Sequence, residues 1–279
     1  RRDLAASGNT VQSVERALDL LEAVAVAGEM GVSELARALG LHVATVHNLL
    51  RTLAARHFLL NRAGRYRLGP AAAVLASRWD PVQALPDVVQ PRLAQVARES
   101  GEAASATILL GFEARLIAFQ PGTEAITIHF PQWSWPQALK LATGRLLVAL
   151  GDEAAWPAFV ERSPDAHPGS SPESWLAHLA ELRRQRYCAL RTDRDGGQVL
   201  LALPLLAAGG RAVASIGVAC PAFRADGERC ARMAAALWSA ATALSAELGG
   251  ELSDPLPAVD WAALPLDPML DELSEDPFG

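Results

Sequence analysis

Val32-Ser33-Glu34-Leu35-Ala36-Arg37-Ala38-Leu39-Gly40-Leu41-His42-Val43-Ala44-Thr45-Val46-His47-Asn48-Leu49-Leu50-Arg51-Thr52-Leu53 reads as two short amphipathic helices joined by a tight turn at Gly40, the helix-turn-helix layout. Ser33 is placed to cap the first helix, whose apolar residues are Leu35, Ala36 and Leu39. In the second, Val46, Leu49, Leu50 and Leu53 recur at three- and four-residue spacing. Thr45, His47, Asn48, Arg51 and Thr52 are left for other faces, with hydrogen-bonding groups suited to base edges and phosphates.

Outward from this stretch, Val11, Val14, Ala17, Leu18 and Leu21 predict a preceding helix. Phe58 to Leu60 and Arg65 to Leu68 flank the polar tip Asn61-Arg62-Ala63-Gly64, which predicts a β-hairpin wing. Arg37, Arg51, Arg56, Arg62, Arg65, Arg67 and Arg78 fall in a stretch with no Asp or Glu between Glu34 and Asp80, the electrostatic footprint of a phosphate-binding face.

The chain of 279 residues is 51% apolar, which excludes a disordered protein and allows one small and one medium domain. Its longest apolar runs stop well short of the roughly 20 residues of a membrane helix, so neither a transmembrane segment nor a signal peptide is expected. The net charge is −6, yet eight acids and no Lys or Arg lie in the last 29 residues, which leaves +2 for residues 1 to 250. The acidic balance therefore does not oppose DNA binding. Three cysteines without C-x-x-C spacing exclude a disulfide framework and a structural zinc site, and fit a reducing cytoplasm. Six histidines show no metal-ligand spacing and no triad elbow, so no metal, cofactor or catalytic group is expected.

Four segments follow: a DNA-reading module at residues 10–69, a linker helix at 70–81, a second domain at 82–249 and an acidic, proline-rich tail at 250–279 that is either disordered or docked through Trp261 and Leu264. After Asp80-Pro81 and Leu85-Pro86, a helix is predicted over Val88 to Ser100. Strands are predicted at Ala103 to Leu110, Arg115 to Gln120 and Ala125 to Phe130, helices near 144–150, 153–161 and 172–186, strands at 187–192, 198–206 and 212–219, and a long helix at 226–248.

With both halves laid out, the chain resembles the IclR family of bacterial transcriptional regulators over roughly residues 10 to 250. Thr10 to Leu18, Gly40-Leu41, Thr45-Val46-His47 and Gly64 to Gly69 carry the likeness in the first half. Ala142-Thr143-Gly144-Arg145, Gly197, Ala202 to Leu205, Cys220-Pro221 and Arg224 carry it in the second. The resemblance implies an α+β architecture: a winged helix-turn-helix, then a PAS/GAF-like effector domain with a curved antiparallel sheet flanked by helices. It implies a homodimer or homotetramer on a palindromic double-stranded DNA site, controlled by a small-molecule effector. Thr45, His47, Asn48 and Arg51 become DNA contacts, with Arg62 and Arg65 of the wing on the backbone or minor groove, and Ser33 and Thr52 beside them. Asn stands at position 48 where the family usually has Arg, and Asn can read adenine bidentately.

For the effector, the resemblance points to Asp193 at the pocket mouth and to Leu200, Gly217 and Ala219 inside it. Several of these replace the Ser and Cys common in relatives, which favours a hydrophobic or aromatic ligand. Ser215 is most simply a sheet residue, although its neighbours Gly217 and Ala219 suggest a face approached by a ligand. Ile126, Ile128, Trp133 and Trp135 are candidate walls. Ala142-Thr143-Gly144 opens a helix whose N–H groups can hold a carboxylate, or is an ordinary helix start. The sign of regulation, repression or activation, stays open. The competing reading is a small-molecule-binding or catalytic protein whose helix-turn-helix serves only oligomerisation.

Overall fold

The computed structural model describes residues 11–78, 81–130, 132–163, 171–192 and 196–252, with residues 259, 261 and 264. The chain divides into two compact units, residues 1–80 and 81–279.

The first unit runs α1 (Gln12–Ala27), β1 (Met30–Gly31), α2 (Val32–Leu39), α3 (Val43–Ala55), β2 (Leu59–Arg62), β3 (Arg65–Leu68) and α4 (Pro70–Arg78). Leu20 and Val24 of α1, Leu35 and Ala36 of α2, Val46 and Leu50 of α3, and Leu59 and Tyr66 of the hairpin form one buried core. The α1 and α3 residues lie one turn apart, which holds α3 by its inner stripe and leaves its outer face to solvent. Gly40, at φ +64°, ends α2 in the left-handed conformation, and the Leu41 N–H returns to the Ala36 carbonyl at 3.0 Å. At the wing tip Ala63 and Gly64 both have positive φ, which matches the turn to the strand twist.

Two expectations are corrected here. A third strand, β1, pairs with β3 through Met30–Tyr66 and Gly31–Arg65. That pairing holds Gly31 extended, so α2 starts at Val32 and Ser33 is an exposed residue inside its first turn, not its cap. The Glu34 carboxylate serves the helix start instead, accepting the Gly31 N–H at 2.8 Å.

The second unit contains α5 (Pro81–Ser100), β4 (Ala103–Leu110), β5 (Glu113–Gln120), β6 (Ser134–Trp135), α6 (Ala142–Leu150), α7 (Trp156–Glu161), α8 (Pro172–Gln185), β7 (Cys188–Thr192), β8 (Gln198–Leu206), β9 (Ala212–Pro221) and α9 (Gly227–Glu247). The six strands form one antiparallel sheet in the order β6-β5-β4-β9-β8-β7. One face packs on α5 and α9 through Val89, Leu93, Ala104, Ala106, Leu203, Ile216, Met233 and Leu237. The other packs on α6, α7 and α8 through Ala202, Leu146, Phe159, Trp175 and Leu179.

The helix predicted from Val88 begins at Pro81 and continues through Pro86 and Pro91. Each proline forgoes one backbone bond, and the burial of Leu85, Val89, Leu93 and Val96 outweighs that loss. The strand predicted over 125–130 does not form. The Thr127 hydroxyl accepts the Gly122 N–H at 3.0 Å, the Thr123 N–H returns to the Gly101 carbonyl, and Glu124 is held by Arg229 at 2.9 Å, which bends this segment away from the sheet. The edge of β5 is paired instead by Ser134 and Trp135. Trp261, half-buried, packs with Leu252 against the α5/α9 side of the sheet.

At the entry to β4 sits a buried ionic knot. Glu102 is fully buried and accepts from Arg224 Nε at 2.9 Å, Arg224 Nη2 at 2.6 Å and Arg229 Nη1 at 2.9 Å. It joins the start of β4, the bent segment, the turn after β9 and the start of α9.

Candidate functional site: a reading helix and an apolar cavity

On α3, Val43, Ala44, His47, Asn48, Arg51 and Thr52 are exposed and Thr45 is half-buried. Their outward direction follows from the inward stripe of Val46, Leu49, Leu50 and Leu53. The Thr52 hydroxyl donates to the Asn48 carbonyl at 3.0 Å, one turn back along its own helix. Arg51 Nη2 stands 3.5 Å from Asn48 Oδ1, at the limit of a hydrogen bond, so both groups are available to an outside partner.

The wing arginines differ from one another. Arg65 pairs with Glu29 at 2.7 Å and Glu34 at 3.4 Å. The sequence stretch without acids thus meets acids brought in by the fold. The Gly31 N–H first, and Arg65 second, hold the Glu34 carboxyl below its ordinary range. Arg62, at the tip, and Arg67 are exposed and make no ion pair with a described residue.

In the second unit, a cavity of about 340 Å³, open solvent at its mouth included, lies between the sheet and the start of α6. Ser105 and Thr107 of β4 reach it from one strand, and Gly217 and Ala219 of β9 from the next, with Ser105 directly across from Gly217 in the register. Leu200 of β8, Leu116 of β5 and Phe130 complete the apolar walls. A register shift in the β4–β5 ladder between Ala106 and Thr107 brings Leu116 opposite Thr107. From α6, Ala142 and Thr143 close the polar end, where the hydroxyls of Thr107 and Thr143 are 2.8 Å apart. Leu141 precedes α6 and offers no side-chain cap to its first amides. No charged side chain lines the cavity among the described residues.

Of the candidates read from the sequence, Ala142, Thr143, Leu200, Gly217 and Ala219 line this cavity. Gly144 sits behind them, packed so closely that a Cβ would fall 2.1 Å from the Ala138 carbonyl oxygen. Ser215 is fully buried and donates to the Leu203 carbonyl at 3.0 Å, outside the lining. Ile126 and Trp133 are 61% and 58% exposed, and Ile128 is half-buried; none reaches the cavity, because the strand that would have carried the isoleucines there is a bent segment. Trp135 is buried and meets Phe130 edge-on at 5.7 Å. Asp193 lies outside the described residues. Ser105, Thr107, Leu116 and Phe130 were missed. The signal for the first two was present: Ser105 and Thr107 alternate within an otherwise apolar strand and so share one face.

Among the described residues no group of three His, Cys, Asp or Glu side chains can hold a metal ion, and no helix is long and apolar enough to cross a membrane.

Residues 13–62 match the model of the IclR helix-turn-helix domain, and residues 82–246 match that of the bacterial transcriptional regulator IclR C-terminal domain. The regulator BhcR of Paracoccus denitrificans is 26% identical over 242 residues, which cover 84% of this chain and 86% of that protein. XynR of Escherichia coli is 28% identical, covering 86% of this chain and 98% of its own, and the transcriptional repressor IclR of E. coli is 27% identical, covering 86% and 91%. In fold, the chain is similar to an IclR-type regulator of Silicibacter sp. TM1040, with a TM-score of 0.62 and 22% identity over 88% of this chain and 99% of that one. HmgR of Pseudomonas aeruginosa gives a TM-score of 0.56 at 22% identity over 87% and 100%. The chain therefore belongs to the IclR family of bacterial transcriptional regulators: a ligand-responsive protein with a helix-turn-helix DNA-binding domain and a C-terminal effector-binding domain.

Proposed function

We propose that this regulator acts in the cytoplasm as a homo-oligomer, binds a palindromic operator through α3 and the wing, and is released or retained by a compact hydrophobic effector held between β4, β9 and α6. The observation that carries the reading is the outer face of α3. A helix-turn-helix serving only to join subunits would present an apolar face, whereas here His47, Asn48, Arg51 and Thr52 project to solvent together. Asn48 is the base reader in this account, Thr45 and His47 flank it, and Arg51, Arg62 and Arg67 meet phosphates. Arg65 and Ser33 act as supports of the wing and of α2.

Oligomerisation is supported by exposed apolar residues in the same unit: Val11, Val14 and Leu18 at 62%, 54% and 55% exposure along α1, and Val74 and Leu75 at 58% and 60% on α4. Two-fold pairing of the reading helices is what a palindromic site requires. The E. coli relative named a repressor supports repression as the sign of control. An effector shifts the DNA equilibrium only by its differential affinity for the two arrangements, typically about 1 to 3 kcal/mol of coupling.

The test is capture of random genomic fragments by the purified full chain at physiological salt, followed by sequencing. A shared inverted repeat among retained fragments is expected, and Asn48→Ala should relax preference at one base pair of each half-site. Retention with no shared repeat refutes the specific reader.

A further inference from the structure

We propose that Ser105 is the specificity-determining hydroxyl of the effector cavity, and that the ligand is a hydrophobic molecule presenting a single acceptor oxygen, carbonyl or carboxylate, to it. The inference rests on the cavity being the effector site.

Ser105 is only 5% exposed, lines the cavity, and its hydroxyl has no hydrogen-bond partner among the described residues. The hydroxyl opens on the cavity, so the partner that the chain does not supply can come from a molecule held there. Gly217, directly across the β4–β9 ladder, keeps the approach open. A Cβ there would stand 2.8 Å from Thr143 Cγ2 and 3.7 Å from Ser105 Oγ, filling the space between the two hydroxyl-bearing side chains.

The polarity of the ligand follows from counting protons. Thr107 and Thr143 share one proton between their oxygens at 2.8 Å, whichever of them donates, so the pair has one further O–H to give. The opening amides of α6 have no side-chain cap and add N–H donors. With the Ser105 O–H, this end of the cavity offers donors from three directions, and the complementary group is an acceptor oxygen. The rest of the wall is Leu116, Phe130, Leu200 and Ala219, which suits an apolar body.

The experiment titrates the full-length wild type and Ser105→Ala with benzoate, acetophenone and ethylbenzene, following tryptophan fluorescence and melting temperature. The wild type is expected to bind at least one oxygen-bearing probe more tightly than ethylbenzene. Ser105→Ala should weaken that probe about tenfold, leave ethylbenzene unchanged, and melt without ligand at the wild-type temperature or above it. Benzoate alone binding identifies the oxygen as a carboxylate, and acetophenone binding identifies it as a carbonyl; both support the proposal. Equal binding of the oxygen probes by variant and wild type, or a lowered melting temperature of the ligand-free variant, overturns the role of Ser105 and leaves the cavity standing. Failure of all three probes on the wild type overturns the effector-cavity reading itself, and the ligand class with it.

Discussion

Replacing Glu102 by Ala should unfold the second unit far more readily than any surface change. The carboxylate is fully buried and receives three hydrogen bonds from Arg224 and Arg229, whose side chains are only 15% and 20% exposed. Its removal leaves two adjacent, mostly covered guanidinium groups with Glu124, bonded to Arg229, as the remaining carboxylate of the knot. Breaking one side of a buried pair costs about 3 to 5 kcal/mol, because the orphaned charge keeps its desolvation penalty. For a unit of this size that corresponds to a fall in Tm of about 6 to 20 °C. The surface pair Arg92–Glu247, 39% and 45% exposed, provides the control, and Arg92→Ala should cost under about 1 kcal/mol. Six of the seven tryptophans lie in the second unit and the seventh, Trp79, at the end of the first, so tryptophan fluorescence in a urea titration follows chiefly the second unit, and a Trp79→Phe background removes the remaining contribution. A Glu102→Ala midpoint that coincides with that of Arg92→Ala would refute the argument that burial makes this knot structural.

Arg62→Ala should weaken DNA binding on all sequences and lower the salt slope by about one unit, while Arg65→Ala, already neutralised by Glu29 and Glu34, should change the slope by less; equal slopes in a fluorescence-anisotropy series would contradict the difference drawn between them. Burial first, and the Glu102 carboxylate second, push the Cys220 thiol up to about 12. The folded protein should therefore leave Cys220 unmodified by a thiol reagent at pH 8.5, and urea should expose it. The linked stability is fully present below the unfolded thiol value of about 8.5 and is lost as pH rises through the interval toward 12, so the urea midpoint should fall above pH 9 and fall less in Cys220→Ala.

The reading module was legible because its signals are local: the Gly40 turn, the three-and-four spacing of Val46 to Leu53, and the polar wing tip are each decided within a few residues. Strand β1 was not legible, since two residues, Met30 and Gly31, carry no periodicity and become a strand only through the pairing β3 offers. The same holds for the charge pattern, where Arg65 looked available in sequence and is claimed by acids 31 and 36 residues away. In the second unit the long strands were legible as apolar runs bounded by turn signals such as Gly209-Gly210. Residues 125–130 alternate, and failed as a strand because Thr127, Glu124 and Thr123 are bonded to partners outside the sheet. That failure removed Ile126 and Ile128 from the cavity. Pro86 and Pro91 misled in the opposite direction, because propensity penalises a proline locally while burial along the whole of α5 is decided by the fold.

The pleat of β4 and β9 has a consequence for how this regulator changes over time. Along β4, Ala104 and Ala106 face the helices that hold the unit together, and the intervening Ser105 and Thr107 face the cavity. On β9, Ile216 belongs to the packed side and Gly217 and Ala219 to the cavity side, while Val218 belongs to the packed core and also borders the cavity. Holding and sensing are thus written on alternate residues of the same few strands, a single codon apart. Substitution at 105, 107 or 219 can reshape the cavity while 104, 106 and 216 keep the sheet folded, so the lining can drift without the scaffold being rebuilt.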